Sequence, residues 1–309
     1  RRLAHIAGVL NRDFLPHLGT DNYKKALYLG YMVRYTIECY TGKRNYDNRD
    51  NIQNKRVDLA GLLLTQLFRT QFLNLVRDIK IEISKVEGLN PSLRRIIQSS
   101  SIGQKIKFGL STGNWSSVKG SSAPQSKKGI AQVLSRLSYL GTICHLRRNI
   151  SPLEHSGSKL DKPRKIYASH TGYICPNETP EGGQVGIVKN LSQSCEVTLP
   201  TNASPIKMIL EAEGMTPIYN VPFENLKNCI YVFVNGELVG FVDDETAPAI
   251  YESLIVKKRH GEISIYTSLK WRVEHDEILI FTDGGRYTRP LFVVEDGAIL
   301  AEQRNIKNS

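Results

Sequence analysis

The chain has 309 residues, of which 40% are hydrophobic, 23% charged and 8% aromatic. This composition is typical of a folded globular protein and excludes a wholly disordered, collagen-like or disulfide-scaffold chain. Lysine and arginine number 41 against 30 aspartate and glutamate residues, so the formal net charge is +11. A positive charge of this size indicates an acidic or polyanionic partner.

The first part of the chain is predicted to be mainly helical. Apolar residues recur every three or four positions from Asp21 to Tyr40, which indicates an amphipathic helix. The residues of its predicted apolar face are Ala26, Leu27, Leu29, Met32, Val33 and Ile37. After a polar loop, the longest helical pattern extends from Val57 to about Ile83, and Leu67, Phe68 and Phe72 belong to its apolar stripe. The sequence Gly88-Leu-Asn-Pro91 then ends this helix.

The middle of the chain combines a polar stretch with one predicted helix. Residues Gln98 to Gln125 are rich in Ser, Gly and Lys, and part of this stretch is expected to be a mobile loop, whereas Phe108, Leu110 and Trp115 indicate that it is anchored. A helix is predicted from about Ile130 to Arg147. The residues expected to be buried on that helix are Val133, Leu134, Leu137 and Leu140. A loop follows from Ser151 to Pro163.

The last part of the chain predicts a mixed α+β structure. The strands Tyr231–Val234 and Leu238–Val242 flank Asn235-Gly236, the pair that supplies the positive φ angles of a type I′ hairpin. The remaining predicted elements are a short helix over Ala249–Lys258 and strands over Gly261–Thr267, Ile278–Phe281 and Leu291–Val294. The whole chain is therefore assigned to the α+β class.

The positive charge is concentrated in one window. From Ser101 to His170 there are twelve basic and two acidic residues, a net charge of +10, whereas the other 239 residues together carry +1. A concentrated positive field attracts a polyanion, and such binding weakens steeply as salt increases. A nucleic acid is therefore the favoured partner. A basic solvated face, or one that contacts an acidic protein, remains the alternative.

The segment CPNETPEGGQVGIVKN, from Cys175 to Asn190, differs from an ordinary core element. Its prolines and glycines fix an unusual backbone path that displays Glu178 and Glu181. Two such carboxylates could act as acid and base or hold a metal. They could equally cap a helix that begins after Pro180, and the spacing favours this structural role. The glycines lack the complete phosphate-loop pattern.

The five cysteines lack the spacing of a zinc site or a redox motif. They predict reduced, mostly buried thiols in an intracellular protein. The most apolar stretch, Leu59–Phe68, is too short to span a bilayer, so no membrane partner is expected. Because the chain begins at Arg1 rather than Met, we expect it to be a fragment of a longer polypeptide.

Two runs carry a family resemblance. GIAQVLSRLSYLGTICHLRRNISPL and, after it, KPRKIYASHTGYICPNETPEGGQVGIVKNLS resemble the fork region of the second-largest subunit of multisubunit DNA-dependent RNA polymerases. Other similar blocks, including NRDNIQNKRVDLAGLLLTQLF, STGNW and IFTDGGRYTRPLFVVED, occur in the family's order from about Tyr23 to Asp296. The resemblance is stronger to eukaryotic, archaeal and large-DNA-virus enzymes than to bacterial ones.

The resemblance implies a multi-domain piece of a larger subunit. Its three regions would be the end of a helical protrusion at 1–97, a mixed fork region at 98–200 and a small α+β external region, incomplete at its C-terminus, at 201–309. Within the fork, Trp115–Lys128 would form a first loop near the RNA–DNA hybrid, and Asn149–Lys162 a second loop where the DNA strands part. The nucleic-acid-binding residues so implied are Lys127, Lys128, Gln132, Arg136, Arg147, Arg148, Lys159, Lys162 and Lys165. Those implied to lie near the nucleotide-addition site are Arg164, Glu181 and Glu178.

The resemblance also implies which cofactor the assembly uses, which partners this chain binds and where it acts. Mg²⁺ would be held mainly by the largest subunit, and this chain alone would bind no cofactor and carry no catalytic residue. Its partners would be the largest subunit and other polymerase subunits, template DNA, the RNA–DNA hybrid and nucleoside triphosphates. It would act inside the cell, in the nucleus if eukaryotic and in the cytoplasm or virion if viral.

Two other functions are compatible with the sequence. The first is a stand-alone basic nucleic-acid-binding or scaffold module without polymerase activity. The second is a metal-dependent hydrolase that uses Glu178 and Glu181, which is less favoured because no His or third carboxylate is placed to complete its site.

Overall fold

The computed structural model describes residues 2–85, 102–115, 129–151, 161–220, 229–295 and 297–300. The chain forms two compact units. The sheet unit comprises Arg1–Arg56, Tyr167–Tyr173 and Gln193–Ser309, and the elbow unit comprises Val57–Ile166 and Ile174–Ser192. Both units contain helices and small sheets, so the expected α+β class is confirmed. The three-region division stays a prediction.

The helices and strands are numbered in chain order. The helices are α1 (Arg2–Arg12), α2 (Asn22–Tyr40), α3 (Ala60–Lys85), α4 (Ile102–Thr112), α5 (Tyr139–Leu146), α6 (Ser204–Ala212) and α7 (Ala247–His260). The strands are β1 (Arg148–Ile150), β2 (Val188–Asn190), β3 (Glu196–Val197), β4 (Thr216–Pro217), β5 (Cys229–Val234), β6 (Glu237–Asp243), β7 (Ser268–Arg272), β8 (Glu277–Phe281), β9 (Tyr287–Thr288), β10 (Val294–Glu295) and β11 (Ala298–Ile299).

A five-stranded sheet organises the sheet unit. Its strand order is β4-β6-β5-β8-β7; β5 and β8 run parallel, and the other neighbours run antiparallel. The β5–β6 hairpin turns at Asn235 and Gly236, whose φ angles are 53° and 82°. Both angles are positive, as a type I′ turn requires, so the predicted hairpin is confirmed.

Both faces of this sheet are covered. On one face, Leu210 of α6 and Leu254 of α7 pack with Val232 and Ile278 in a fully buried cluster. On the other face, Tyr31 of α2 joins a second cluster around the sheet residues. Burial of these apolar surfaces removes them from water and is the main force that holds the three layers together.

Helix α2 is present where it was predicted, but its predicted apolar face is mostly wrong, since Leu27 is the member of that face that packs against the sheet. Asp21 caps its start by accepting a hydrogen bond from the backbone N of Tyr23 at 2.9 Å. Four residues of the predicted face are 44–56% exposed, namely Leu29, Met32, Val33 and Ile37. The helix instead turns Tyr28 and Tyr31 to the sheet. A tyrosine such as Tyr31 buries a large ring while its hydroxyl still reaches a polar partner.

That polar partner is Glu277 on β8, which is 1% exposed. Its carboxylate accepts a hydrogen bond from Tyr31 Oη at 2.6 Å and two from Arg44, at 2.8 and 3.0 Å. The Arg44 guanidinium also lies 3.9 Å from the centre of the Tyr35 ring. Burial and the Glu277 carboxylate raise the pKa of Tyr31. This buried network fixes α2 to the sheet.

In the elbow unit, α3 confirms the helix predicted from Val57 to Ile83. Its predicted stripe is buried only in part: Leu67 is 2% exposed, whereas Phe68 and Phe72 are 51% and 47% exposed. The stripe packs on α4, where a Cβ at Gly109 would lie 3.2 Å from Leu67 Cδ2. A side chain at this glycine would therefore separate the two helices.

Part of the Ser- and Gly-rich stretch Gln98–Gln125 is helical, because α4 occupies most of its described residues. The mobile loop expected in another part of the stretch stays a prediction. Ile102 and Ile106, four residues apart, are both half-buried, and that helical spacing outweighs the Ser and Gly content. Trp115 is anchored as expected: it is 7% exposed and its Nε1 donates to the Leu63 carbonyl at 2.9 Å.

The helix predicted from Ile130 to Arg147 is wrong over its first half, since only α5 is helical. Ser138 caps α5 with an extended backbone and accepts a hydrogen bond from Gly141 N at 3.0 Å. A serine that bonds in this way begins a helix instead of continuing one. The expected burial also fails: Val133, Leu137 and Leu140 are 92%, 97% and 70% exposed, and Leu134 is half-buried.

The other C-terminal predictions are confirmed in part. The short helix is present as α7 and ends at Gly261, which adopts a left-handed φ of 82°. Residues Gly261–Thr267 form no strand; they turn, and the strand follows as β7. The strand over Ile278–Phe281 is present within β8. From Leu291 to Val294 only Val294 is in a strand, and that strand pairs with β11.

The five cysteines are free thiols; Cys39 and Cys195 are buried and the other three are half-buried. None of the helices in the described part of the chain combines the length and the apolar composition that a membrane span requires.

Candidate nucleic-acid interface

A short antiparallel ladder joins the basic window to the proline–glycine segment. Strands β1 and β2 pair so that Arg148 lies opposite Asn190 and Ile150 lies opposite Val188. The ladder continues beyond both ends, with Leu191 N donating to the Arg147 carbonyl at 3.0 Å and Ser151 N to the Ile187 carbonyl at 3.1 Å. The arginines at the end of α5 are thus held beside the segment Cys175–Asn190.

The segment bends sharply at Gly186, and we call Thr179–Gly186 the elbow. Gly186 has a φ of +69°, and a Cβ there would lie 2.3 Å from the Arg164 carbonyl oxygen. The Thr179 hydroxyl accepts a hydrogen bond from Gly186 N at 2.9 Å and donates to the Val188 carbonyl at 3.0 Å. Only glycine fits this backbone and this close approach.

Two cations hold the turn Lys162–Arg164 against the elbow. Arg164 Nη1 donates to the carbonyls of Gly183 and Val185 at 2.8 and 2.7 Å. Lys189 Nζ donates to the Pro163 carbonyl at 2.7 Å and also to the Gly186 carbonyl. Nη1 has two hydrogens, so both are used, and the Arg164 side chain is fixed in position.

The two carboxylates of the segment are exposed. Glu181 is the N-cap residue of a short 3₁₀ helix over Gly182–Gln184, but its side chain makes no capping hydrogen bond. Glu178 contributes its backbone carbonyl, which accepts a hydrogen bond from Asn190 Nδ2 at 3.2 Å. Capping therefore does not explain the Glu181 carboxylate, which stands at the surface of the elbow.

Gln132 uses its side chain inside the unit. Its amide nitrogen donates to the Gly129 carbonyl at 3.1 Å, and its amide oxygen lies 3.3 Å from His145 Nε2. The other ring nitrogen, His145 Nδ1, accepts a hydrogen bond from Ser135 N at 3.1 Å. This chain of contacts holds the non-helical segment before α5 in place, and the predicted contact of Gln132 with nucleic acid stays a prediction.

The remaining predicted cations differ in how they are held. Arg147 is half-buried and its Nη2 donates to the Ser192 carbonyl at 2.6 Å. The side chains of Arg136, Arg148 and Lys165 are exposed and form no hydrogen bond or ion pair with any other described residue. Lys162 is also exposed. The predicted contacts Lys127, Lys128 and Lys159 lie outside the described residues.

The structure thus separates two groups of basic residues. Arg147, Arg164 and Lys189 fix the backbone around the elbow, whereas Arg136, Arg148 and Lys165 present their charge to solvent. Lys189 was not predicted from the sequence, although a lysine inside the apolar strand GIVKN is a signal that its ammonium group needs a buried partner. Such an arrangement can hold a phosphate backbone beside a rigid surface.

Three protein-family models match the chain in consecutive order. They are RNA polymerase Rpb2, domain 2, over residues 2–58; domain 3 over residues 132–197; and domain 4 over residues 232–295. Together they cover more than half of the chain, and the domain 3 match contains the elbow and the arginines of the ladder.

Relatives extend the similarity over nearly the whole chain. DNA-directed RNA polymerase II subunit RPB2 of Eremothecium gossypii is 37% identical over 302 residues, which are 96% of this chain and 24% of that protein. DNA-directed RNA polymerase II subunit 2 of Arabidopsis thaliana is 35% identical, over 99% of this chain and 26% of its own length. DNA-directed RNA polymerase subunit Rpo2 of Sulfolobus acidocaldarius is 34% identical, over 99% of this chain and 28% of its own length.

Proposed function

The chain belongs to the family of second-largest subunits of DNA-directed RNA polymerases, and we propose that it positions nucleic acid beside the active centre of such an enzyme. It spans about a quarter of the length of the curated relatives that it matches. Template-directed RNA synthesis is therefore proposed for the assembled polymerase, and this chain alone is proposed to be inactive.

The exposed cations of the elbow unit support this role most directly. Arg136, Arg148 and Lys165 have no anionic partner among the described residues, so phosphates can bind them without breaking an existing ion pair. Contacts to phosphates carry no sequence information, which suits an enzyme that transcribes any template. Positive charge at the point where the two DNA strands part also lowers the repulsion between them.

The elbow supports a second, positioning role. Arg164 and Glu181 are proposed to lie near the nucleotide-addition site, and Glu178 near them. Arg164 is held by Nη1 alone, and its Nε and Nη2 make no hydrogen bond with any described residue. A guanidinium fixed at one end and open at the other can orient a phosphate or a ribose hydroxyl without moving.

The partners and the metal belong to the proposed assembly. They are the largest subunit and the other polymerase subunits, template DNA, the RNA–DNA hybrid and nucleoside triphosphates. Mg²⁺ is proposed to be held mainly by the largest subunit. In the described residues of this chain, no group of three or more His, Cys, Asp or Glu side chains could hold a metal ion. In a eukaryote the assembly would act in the nucleus, and in a virus in the cytoplasm or virion.

The alternative of a stand-alone basic module is not favoured, because the relatives described above are subunits of RNA polymerases. The hydrolase alternative requires a third ligand or base beside Glu178 and Glu181, and the described residues supply none.

The proposal is tested in the assembled polymerase with the double variant Arg148→Ala/Lys165→Ala. The affinity for a template–RNA scaffold is measured at increasing KCl concentration. Each lost phosphate contact should reduce the slope of log K against log salt by about 0.7 to 0.9. The matched control is Lys207→Ala/Lys24→Ala, which removes two lysines that bind Glu237 in the sheet unit. An unchanged slope in the double variant would refute the phosphate contacts.

A further inference from the structure

A second basic site lies in the sheet unit, where a cavity of about 470 Å³ opens beside the turn that follows α7. Four of its lining residues are cations: Arg56, Lys258, Lys270 and Arg286. Its volume is within the range of about 300 to 1,000 Å³ in which proteins bind small ligands. The lining residues Tyr266 and Thr267 belong to the turn that was predicted as a strand.

The positive charge of this cavity is only partly balanced. No acidic residue is among the described residues that line it. Asp283 contacts two of the cations from outside, with Arg56 Nε at 2.5 Å and Arg286 Nε at 3.1 Å. The two lysines have neutral partners: Lys258 donates to the Thr267 carbonyl at 2.6 Å, and Lys270 to Gln53 Oε1 at 3.0 Å.

Partial burial of the cations that line the cavity makes their unbalanced positive charge unfavourable. Burial, together with the charge of Arg286, lowers the pKa of Lys258. Burial also lowers the pKa of Arg286. Burial and the charge of Arg272 lower the pKa of Lys270, although the nearby Asp47 carboxylate acts to raise it. An anion inside the cavity would stabilise the charged form of each of these groups.

Two polar groups lack a partner at the cavity. Thr267 is 1% exposed, and no described residue hydrogen-bonds to its Oγ1. Arg286 is 8% exposed and uses Nε and Nη2 for hydrogen bonds, whereas its Nη1 makes none with the described residues. Buried polar groups are normally satisfied, so a donor hydroxyl without a partner at a basic cavity indicates a missing acceptor.

We propose that this cavity binds a phosphate dianion, as inorganic phosphate or as the phosphate of a mononucleotide. A dianion matches the excess of positive charge better than a single carboxylate does. The phosphate oxygens can accept hydrogen bonds from a guanidinium, an ammonium group and a hydroxyl together. This site is separate from the proposed contacts of the elbow unit, so either proposal can fail without the other.

The test uses the full chain and two probes, inorganic phosphate and adenosine 5′-monophosphate, in isothermal titration at ionic strength matched with chloride. Saturable binding of one equivalent is expected. Thr267→Val keeps the shape of the side chain and removes its hydroxyl. It should weaken phosphate binding about tenfold, because one hydrogen bond to a charged group is lost. The melting temperature of the unliganded protein should stay equal or rise, because an unsatisfied polar group is removed.

Lys258→Met should abolish binding, while the control Lys207→Met, which removes an ammonium group from outside the cavity lining, should leave it unchanged. If Lys258→Met does not fold, Lys270→Gln makes the same comparison, because its ammonium donates only to the exposed Gln53 among the described residues.

Equal binding of the two probes would identify phosphate itself as the ligand, and tighter binding of the monophosphate would identify a mononucleotide. Equal heats for wild type and the cavity variants would overturn the proposal. Tighter binding of single-stranded oligothymidylate, lost in Lys258→Met, would also overturn it in favour of a polynucleotide site.

Discussion

At the scale of single residues, Gly186 determines the shape of the elbow. We predict that Gly186→Ala destabilises the protein by about 2 to 4 kcal/mol, because it adds a strained left-handed φ and a clash with the Arg164 backbone. Urea unfolding measures the change. The matched control is Gly183→Ala, since a Cβ at that position meets nothing within 4 Å. Equal effects of the two substitutions would contradict this account of the elbow.

The raised pKa of Tyr35 leads us to predict a loss of stability at alkaline pH. Burial and the hydrogen bond to Asp47 raise the pKa of Tyr35 from 10.0 to about 12. The folded state therefore binds the phenolic proton more tightly than the unfolded state. This contribution is complete below pH 10 and is lost as the pH rises from 10 through 12.

The measurement is the free energy of unfolding across that pH range. Tyr35→Phe should reduce the slope, and Tyr46→Phe, at a residue that is 81% exposed, should not. Tyr31, whose pKa is also raised, keeps part of the slope in the Tyr35 variant. A Tyr35 variant with the slope of the wild type would show that this phenol does not titrate differently in the two states.

Some residues of the site could be predicted from the sequence, and others could not. The glycines and prolines of the elbow were visible because they restrict the backbone wherever they occur. The contacts of Lys189 and Gln132 within the unit could not be predicted, because their partners are backbone carbonyls or a histidine whose position depends on the β1–β2 register and on the start of α5. Sequence spacing does not specify such contacts.

At the scale of elements, Trp115 connects the segment after α4 to α3. We predict that Trp115→Ala costs about 3 to 5 kcal/mol, because it leaves a cavity in place of the buried indole ring and removes the hydrogen bond of that ring to the Leu63 carbonyl. Thermal unfolding gives the measurement. Trp115→Phe, which keeps most of the ring and loses the donor, should cost less. A melting temperature equal to wild type for the alanine variant would exclude a folding role.

The elements also show where periodicity is informative and where it misleads. The positions of α2, α3 and α7 were predictable because apolar spacing extends over several turns. The buried face of α2 was not, because Tyr28 and Tyr31 pack against the sheet in place of most of the aliphatic stripe. The helix predicted to start at Ile130 starts later for a local reason. Ser138 caps its first turn, and the spacing of apolar residues carries no information about such a cap.

At the scale of the whole molecule, the distribution of charge alone predicted a polyanionic partner. Only the similarity to known proteins indicated an RNA polymerase subunit. We predict that the isolated chain binds DNA or RNA weakly, without sequence preference, and with an affinity that falls steeply as salt increases. Fluorescence anisotropy with two oligonucleotides of unrelated sequence, at several KCl concentrations, measures both properties. Binding that is insensitive to salt would contradict phosphate contact, and a large difference between the sequences would indicate base readout.

The sheet unit is built from three separate stretches of chain, and this affects how the protein is made. Arg44 and Glu277, which pair in its interior, are 233 residues apart. At a translation rate of about 5 to 20 residues per second, Arg44 leaves the ribosome roughly 10 to 50 s before its partner. The elbow unit, complete at Ser192, is synthesised within that interval and can fold first. Meanwhile the aromatic side of α2 has no β-strands to cover it, and a chaperone that shields tyrosines would protect the nascent subunit from aggregation.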